Sequence, residues 1–307
     1  MDKLKAGPAR YVVLPFAALA MLGVLVLLIT VVPDWLANES TSKVRSEDEG
    51  RVRTALLASV AGLIAVFGAY VSHRSSRTAQ KALETDRYTR AVEQLGNNDQ
   101  EAVRLGGIYA LEQIMRESID LRGVVVELLS AYVRSETTKP GIEAAGTREP
   151  STRTDVAGAL TVLGRNNVPG VPIDLSGANL LGAKLAGVDF TEANLSGTTL
   201  NNAILRHARL DGANLVNTRL VHAKLGYATL TGARCFGAGF TGADLHGADL
   251  TGANLDEVNL TGANVERADL TGVDLTSARL TGTNVAAAIL IGTRLPLPPG
   301  SAADTGS

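Results

Sequence analysis

A five-residue repeat that continues without a break through residues 173–295 constrains the fold of this chain more than any other feature. Every fifth residue from Leu175 to Leu295 is Leu, Phe, Val or Cys, which gives 25 consecutive repeat centres. A small or β-branched residue stands two places before each centre, and the other places are mostly polar residues and Gly. A period of five fits neither an α-helix, with about 3.6 residues per turn, nor a flat strand, with two.

A chain that turns a corner once in every repeat can send all of these centres inward. Such turning predicts a β-solenoid, in which large apolar residues fill the axis, small residues fit the corners and polar residues face water. Stacked coils pair their backbones, so that each coil satisfies the hydrogen bonds of its neighbours.

The repeated phrases in this stretch, such as DLSGA, NLTGA and DLTGV, resemble the pentapeptide repeat family, whose pattern is A-(D/N)-L-X-X. The resemblance implies a right-handed quadrilateral β-helix with four repeats per coil, about six coils and a length of roughly 29 Å. Four repeats per coil predict side-chain columns at a spacing of 20 residues. One column is Leu175, Leu195, Leu215, Cys235, Leu255, Leu275 and Leu295; another is Phe190, Leu210, Leu230, Leu250, Leu270 and Leu290.

The N-terminal part, residues 1–72, is predicted to be a transmembrane helical hairpin in the lipid bilayer. Residues 11–32 and 54–72 contain no charged side chain, and each run can span roughly 30 Å of hydrocarbon as a helix. Lys3, Lys5 and Arg10 precede the first run, so a cleaved signal peptide is the alternative there. The length of that run and the second run that follows it argue against this alternative.

Basic residues beside the two runs set the predicted orientation. Eight of them flank the outer ends of the hairpin, against four in the connecting loop. The positive-inside rule therefore places the N-terminus and the C-terminal domain in the cytoplasm, and the resemblance to bacterial membrane-anchored members implies the inner membrane. Ala61, Ala65 and Ala69 form a stripe that allows close helix packing, and we favour packing within the hairpin over a homo-oligomer.

Residues 73–134 are charged and helix-periodic, and they predict a small helical bundle. We expect its first helix to end at Gly96 and its second to open with a capping box at Asn98 and Glu101. The predicted inward residues are Tyr88, Ala91, Val92, Leu95, Leu105, Ile108, Leu111, Met115, Val125, Leu128, Leu129 and Tyr132. Residues 135–152 are predicted to be a Pro/Gly-rich linker.

The β-helix, residues 153–296, is expected to begin with a capping helix over residues 154–164, because an open end exposes unpaired backbone. Residues 297–307 cannot continue the ladder and are predicted to be a disordered tail. No cap is evident at the C-terminal end, which leaves two alternatives: the tail covers it, or another copy pairs with it.

No catalytic constellation is present in the sequence, and we predict that the chain is not an enzyme and binds no cofactor or metal. It has no P-loop, His-Glu-x-x-His, paired cysteines or Gly-x-Ser-x-Gly. A Gly-x-Gly-x-x-Gly string at residues 237–242 falls inside the repeats and follows from their glycine content. His207, His222 and His246 lack ligand spacing and are interpreted as solvated surface residues, and Cys235 as a core residue.

Charge is uneven along the repeats, with basic residues prevailing over residues 206–234 and acidic residues over 244–274. A step of 20 residues stacks Asp249 on Asp269, an unfavourable pairing of like charges. A solvated surface and an acidic patch for a basic partner both remain open. The predicted interaction surface comprises these acidic residues and three outward apolar residues: Asp244, Asp249, Asp269, Asp274, Val216, Tyr227 and Phe236.

We favour a membrane-tethered, non-enzymatic scaffold that presents a rigid rod to an unidentified protein partner. One alternative follows from the resemblance, because some soluble pentapeptide proteins mimic B-form DNA, bind DNA gyrase and confer quinolone resistance. That mechanism needs an acidic rod, whereas residues 174–295 carry 11 acidic and 9 basic side chains. An accessory subunit of a membrane channel or transporter is another alternative, although the runs contain no ionisable residue. Nucleic acid is not expected as a partner, since the net charge is -2.

Overall fold

The predicted solenoid is present in the computed structural model, which describes residues 44–138 and 153–296. Parallel backbone bridges join residues that are 20 positions apart, from Asp174 with Asn194 at one end to Asp274 with Arg294 at the other. Because the repeat is five residues long, this step means four repeats in each coil. The predicted spacing of stacked side chains is therefore confirmed.

The four repeats of a coil form four faces, which we name A to D in chain order. Face A is centred on the column that begins at Leu175, face B on that of Leu180, face C on that of Leu185 and face D on that of Phe190. All centres from Leu175 to Leu275 are buried, with no more than 2% of any side chain exposed. The predicted apolar axis is confirmed over these coils.

Hydrogen bonds satisfy all five N–H groups of a typical repeat. Three N–H groups donate to neighbouring coils, one closes the corner within the repeat, and one donates to an Asn side chain. In the repeat centred on Leu195 these bonds are Leu195 N to Asn214 O (2.8 Å), Ser196 N to Asn194 Oδ1 (3.3 Å), Gly197 N to Val216 O (2.9 Å), Thr198 N to Leu195 O (3.1 Å) and Thr199 N to Ala178 O (2.9 Å). Asp or Asn before a centre therefore supplies the acceptor that the corner itself lacks.

In the described ranges, α-helices precede the solenoid: α1 Val44–Leu95, α2 Glu101–Glu117, α3 Arg122–Thr138 and α4 Thr154–Arg165. The chain divides into two compact units, Met1–Ala82 and Leu83–Ser307. In the second unit most of the predicted inward helical residues are buried, and the rest are half-buried. The buried ones are Ala91, Leu95, Ile108, Leu111, Met115, Val125 and Leu129, and the half-buried ones are Tyr88, Val92, Leu105, Leu128 and Tyr132.

The predicted capping box at Asn98 and Glu101 is wrong. Helix α2 begins at Glu101, and its N-cap residue, Gln100, makes no side-chain capping hydrogen bond. Glu101 Oε1 instead accepts hydrogen bonds from the N–H groups of Thr154 (2.8 Å) and Asp155 (3.3 Å). Glu101 therefore caps the start of α4, a helix that lies some fifty residues further along the chain.

The described residues do not support the predicted transmembrane hairpin. Residues 54–72 lie inside α1, and in the described ranges no helix is both long and apolar enough to cross a membrane. The first predicted span, residues 11–32, lies outside the described residues, as does the predicted tail, residues 297–307. Of the predicted linker, residues 135–138 form the last turn of α3 and the next residues to be described begin at 153.

Helices α3 and α4 cover the N-terminal end of the solenoid, where a coil before the first one would otherwise lie. In later coils the N–H before each centre donates to the preceding coil. In the first coil, Asn179 N donates to Thr137 Oγ1 of α3 (3.3 Å) and Asp189 N donates to Gly164 O of α4 (3.0 Å). A Cβ added to Gly164 would come within 2.8 Å of Val188, so α4 lies directly against this coil. The two helices supply acceptors that an open end would lack.

A buried carboxylate joins the helices of this cap. Asp155 of α4 is fully buried. Its Oδ2 accepts hydrogen bonds from Arg104 Nε of α2 (2.6 Å), Tyr132 Oη of α3 (2.8 Å) and Arg153 Nη2 (2.6 Å). Burial alone would raise the pKa of Asp155, but these hydrogen bonds outweigh it and hold the pKa below its ordinary value. Burial, and then the hydrogen bond to Asp155, raise the pKa of Tyr132.

The last coil differs from those before it. A short 3-10 helix, Val285–Ala287, replaces a regular corner where three alanines supply neither Gly nor Asn. Leu280 and Leu290 are half-buried, Leu295 is 45% exposed and Ile291 is 70% exposed. Among the described residues no further coil covers this end.

Candidate interaction surface

In the described ranges, no group of side chains is arranged to hold a metal ion. No three His, Cys, Asp or Glu side chains there come close enough to share a metal ion. Cys235 is buried in face A, and burial raises the pKa of its thiol to about 12, so the thiol is unreactive at neutral pH. The Gly-x-Gly-x-x-Gly string of residues 237–242 covers face B and the corners on either side of it, and no helix follows it to hold a phosphate.

The structure divides the predicted interaction residues between two sides of the solenoid. Four of them lie on or beside the corner between faces C and D: Tyr227 at the corner, Asp244 on face C, and Asp249 and Asp269 on face D, where they are bridged to each other. The other three lie on or beside face A: Asp274 on the face, and Val216 and Phe236 at the corner between faces A and B. The seven residues do not form one patch.

The corner between faces C and D, which we call the C–D edge, carries large side chains where the backbone favours glycine. Its tight-turn position is occupied in successive coils by Gly187, His207, Tyr227, Gly247 and Arg267. The backbone φ is 57° at His207, 59° at Tyr227 and 60° at Arg267. A left-handed backbone costs a non-glycine residue roughly 1–2 kcal/mol. The C–D edge thus keeps these side chains at an energetic cost.

Three aromatic rings contact one another along the C–D edge. The rings of His207 and Tyr227 are parallel, with centroids 5.4 Å apart and 7° between their planes. His246 meets Tyr227 edge-on with centroids 5.3 Å apart, and its Nε2 lies 3.1 Å from the phenol oxygen. Tyr227 also crosses Gly247, where an added Cβ would come within 2.7 Å of the ring. Tyr227 is nevertheless 53% exposed, so the stack presents an ordered aromatic group to solvent.

Charged side chains flank the aromatic stack. Arg206 Nη2 lies 3.9 Å from Asp244 Oδ2, and Glu266 Oε2 lies 3.9 Å from His246 Nδ1. Both distances are too long for a hydrogen bond. The side chains of Arg206 and Glu266 are 56% and 60% exposed. Tyr and Arg are both enriched in protein-recognition surfaces.

The predicted acidic patch has a structural explanation. Each of its four Asp residues precedes a repeat centre and accepts a hydrogen bond from the N–H two residues later, at 2.9 to 3.3 Å. Thr231 Oγ1 also donates to Asp249 Oδ2 (3.2 Å). Burial alone would raise the pKa of Asp249, but its hydrogen bonds with Thr251 and Thr231 lower it. These bonds offset the repulsion predicted for the stacked pair, so acidity here does not by itself indicate a basic partner.

Sequence reasoning missed the role of two histidines. His207 is exposed, as predicted for a solvated residue, and His246 is half-buried, but both also contact the ring of Tyr227. The signal for His207 was present, because it stands one coil, or 20 residues, before Tyr227. The contact of His246 depends on how the Tyr227 ring leans across the corner, which spacing does not specify. His222 lies on the B–C corner, close to Gly242.

The fold defines a class: a β-helical repeat protein with four five-residue repeats in each coil. Comparison with known families agrees, since residues 173–206, 200–234 and 238–276 match the model described as pentapeptide repeats. The solenoid is therefore built of pentapeptide repeats, as the sequence resemblance implied.

Several solved structures are similar to the solenoid. HetL, a pentapeptide repeat protein involved in heterocyst differentiation regulation in the cyanobacterium Nostoc sp. strain PCC 7120, is 33% identical, over 39% of this chain and 59% of HetL, with a TM-score of 0.16. Rfr23 from the cyanobacterium Cyanothece 51142 is 29% identical, over 40% of this chain and 90% of Rfr23, with a TM-score of 0.24. QnrB1, a plasmid-mediated fluoroquinolone resistance protein, is 21% identical, over 40% of this chain and 67% of QnrB1, with a TM-score of 0.23. No curated protein sequence matches the chain.

Proposed function

We propose that this chain is a non-enzymatic protein-interaction module, tethered to a membrane, and that the C–D edge is the surface it presents to proteins. The observation that carries the proposal is the Tyr227 stack. An exposed aromatic side chain is held there in a left-handed backbone, against two histidines and between opposite charges. Strained residues persist where the surrounding structure or function maintains them, and Tyr is enriched among residues that dominate binding energy.

The solenoid is well suited to holding such a surface in place. Its backbone N–H groups are paired between coils, and the rings of the C–D edge already contact one another in the free chain. Binding to this edge therefore orders few side chains, which reduces the entropic cost of association.

Photo-crosslinking in cells tests the C–D edge directly. A photoreactive amino acid replaces Tyr227 in the full chain, and a second variant carries it in place of Phe236. Phe236 is a matched control, because it is an aromatic residue that is 41% exposed at the A–B corner. We expect protein adducts at position 227 and few at position 236. Equal adducts at both positions, or none at position 227, would contradict the proposal.

The membrane tether is proposed from the sequence of residues 11–32, which form an uncharged run of 22 residues. The part of α1 that lies in the unit Met1–Ala82 gives a second reason to expect a covering surface. Ile64, Val66 and Phe67 of α1 are 50%, 69% and 43% exposed, an apolar surface that a bilayer or a protein would shield. A cytoplasmic location of the solenoid, on the inner membrane of a bacterium, is part of the same proposal.

Membrane extraction tests the tether. In the full chain, the double substitution Leu25→Arg and Leu27→Arg puts two charges in the centre of the apolar run, each unfavourable by about 2.5–3.5 kcal/mol in a spanning helix. We expect the unsubstituted chain to resist alkaline extraction and this variant to be released. The control, Leu25→Ala with Leu27→Ala, should stay in the membrane fraction. An unsubstituted chain that is itself released would exclude the tether and leave the C–D edge untouched.

The alternative of a gyrase-binding DNA mimic gains no support from the described residues. The similarity to QnrB1 concerns the fold, since the two chains are 21% identical. The carboxylates that could imitate DNA phosphates are few and hold the corners of the solenoid, as at Asp249 and Asp274.

A further inference from the structure

Charge changes sign along the C–D edge, and Tyr227 lies where it changes. The coils before and including Tyr227 present cationic side chains, and the two coils after it present mostly carboxylates. The cations are Arg206, Arg209 and Lys224, and the carboxylates are Asp244, Asp249, Glu266 and Asp269. All of these side chains are exposed or half-exposed. Two residues are exceptions to the pattern. Arg267 is a cation in the last of these coils, and Asp189 is a carboxylate in the first coil, where its Oδ2 accepts a hydrogen bond from Arg209 Nη1 (3.0 Å).

A surface whose charge reverses about its midpoint is complementary to itself in the antiparallel orientation. Consider a two-fold axis that passes between the coil of Tyr227 and the coil of Gly247. It makes the coil of Tyr227 in one copy face the coil of Gly247 in the other copy, and the coils beyond these two face each other in turn. Because every coil advances by about 4.8 Å, the opposed residues lie at matching heights. The facing pairs that join one copy to the other are Lys224 with Asp244 and Arg206 with Glu266. Arg209 faces Asp269 of the second copy as well, while it also pairs with Asp189 of its own copy. Two-fold symmetry forms every pair twice.

We propose that the C–D edge binds the C–D edge of a second copy of this chain, side by side and antiparallel. The inference rests on the proposed function, because it assigns a partner to the same edge. The two Tyr227 rings meet at the axis, within one coil step of about 4.8 Å along the solenoid. An aromatic centre enclosed by charged pairs matches the usual arrangement of binding energy in an interface. Arg267 faces His207 of the second copy and adds no complementary charge.

Cysteine crosslinking in cells tests the contact at the axis. Tyr227→Cys introduces one accessible thiol into the full chain, because Cys235, its only natural cysteine, is fully buried. With a short bismaleimide reagent we expect a covalent homodimer. Phe236→Cys, at the A–B corner, should stay monomeric under the same conditions. Equal dimer yields from both variants, or no dimer from Tyr227→Cys, would overturn the proposal.

Charge reversal tests the pairing itself, without the aromatic residue. Arg206→Glu and Glu266→Arg each set like charges against each other twice, and each should weaken the dimer about tenfold or more. The double variant, Arg206→Glu with Glu266→Arg, restores opposite charges and should restore the dimer. Sedimentation velocity of the full chain in a mild detergent measures all three. A double variant as monomeric as the single variants would overturn the antiparallel pairing.

The photo-crosslinking experiment at Tyr227 separates this inference from the proposed function. Adducts of twice the chain mass, lost in Arg206→Glu, support a second copy as the partner. Adducts with other proteins only would overturn the inference and leave the proposed function standing. The absence of any adduct would overturn both.

Discussion

Asp or Asn before a repeat centre holds the corner that follows it. Asp249 accepts from Thr251 N (2.9 Å), and the equivalent bond recurs on all four faces, for example at Asp274 and Asn259. The polar residue that defines this repeat is therefore a structural acceptor as well as a surface residue. Its charge is incidental to that role, since Asn serves equally well.

Substitution of Asp249 separates the acceptor from the charge. Asp249→Ala removes the acceptor of the Thr251 N–H and should lower the free energy of unfolding by about 1 kcal/mol. Asp249→Asn keeps an acceptor oxygen and should change stability by less than about 0.5 kcal/mol. Urea unfolding followed by circular dichroism measures both. Equal losses in the two variants would show that the carboxylate charge, and not the corner bond, is what matters.

The position of a centre along face D should decide how much it contributes to stability. Leu210 is fully buried between coils, whereas Leu290 lies in the open last coil and is half-buried. Leu210→Ala should cost about 2–5 kcal/mol, as for other buried leucines. Leu290→Ala belongs to the same column and should cost markedly less. Similar losses at both positions, in the same unfolding assay, would mean that the last coil is covered in solution.

One buried carboxylate, Asp155, links three helices of the N-terminal cap. Asp155 links α2, α3 and α4, and removing one partner of a buried ion pair usually costs about 3–5 kcal/mol. Asp155→Ala should therefore destabilise the cap by that order at neutral pH. Thr161→Ala is a matched control on an exposed position of the same helix, and it should have a small effect.

The cap should also respond to acid. The pKa of Asp155 is lowered in the folded chain, so its contribution is complete above the unfolded pKa of about 3.9. That contribution is lost as the pH falls through the folded pKa. The unsubstituted chain should therefore lose stability more steeply below about pH 4 than Asp155→Asn does. Parallel pH profiles would exclude Asp155 as the source, since the other carboxylates are common to both proteins.

Contacts between residues that are close in the sequence could be predicted, whereas contacts between residues far apart in the sequence could not. The leucine column on Leu175 and the helix at residue 154 follow from local spacing, and both are present. The partner of Glu101 lies some fifty residues away, so a local capping rule assigned it to the wrong helix. The Asp155 cluster likewise draws one group from each of several helices. Such contacts depend on how elements pack, which periodicity does not encode.

The whole solenoid is a series of coils, each of which is stabilised mainly by its neighbours. Its two ends are unlike: helices supply acceptors to the first coil, and the last coil is open among the described residues. The repeats give the molecule a constant core, and the edges give it a surface that varies from coil to coil. The C–D edge departs from the repeat at His207 and Tyr227, whereas the D–A corner of the same two coils has Gly212 and Gly232.

Hydrogen–deuterium exchange of the full chain tests the coil-on-coil architecture most directly. The N–H groups of Leu195, Leu210 and Leu230 donate to the following coil, whereas Leu290 has no coil after it in the described residues. We expect the amides of centres in the middle coils to exchange orders of magnitude more slowly than the amide of Leu290. Centres from Leu195 to Leu230 that exchange as fast as Leu290 would contradict the stacked solenoid.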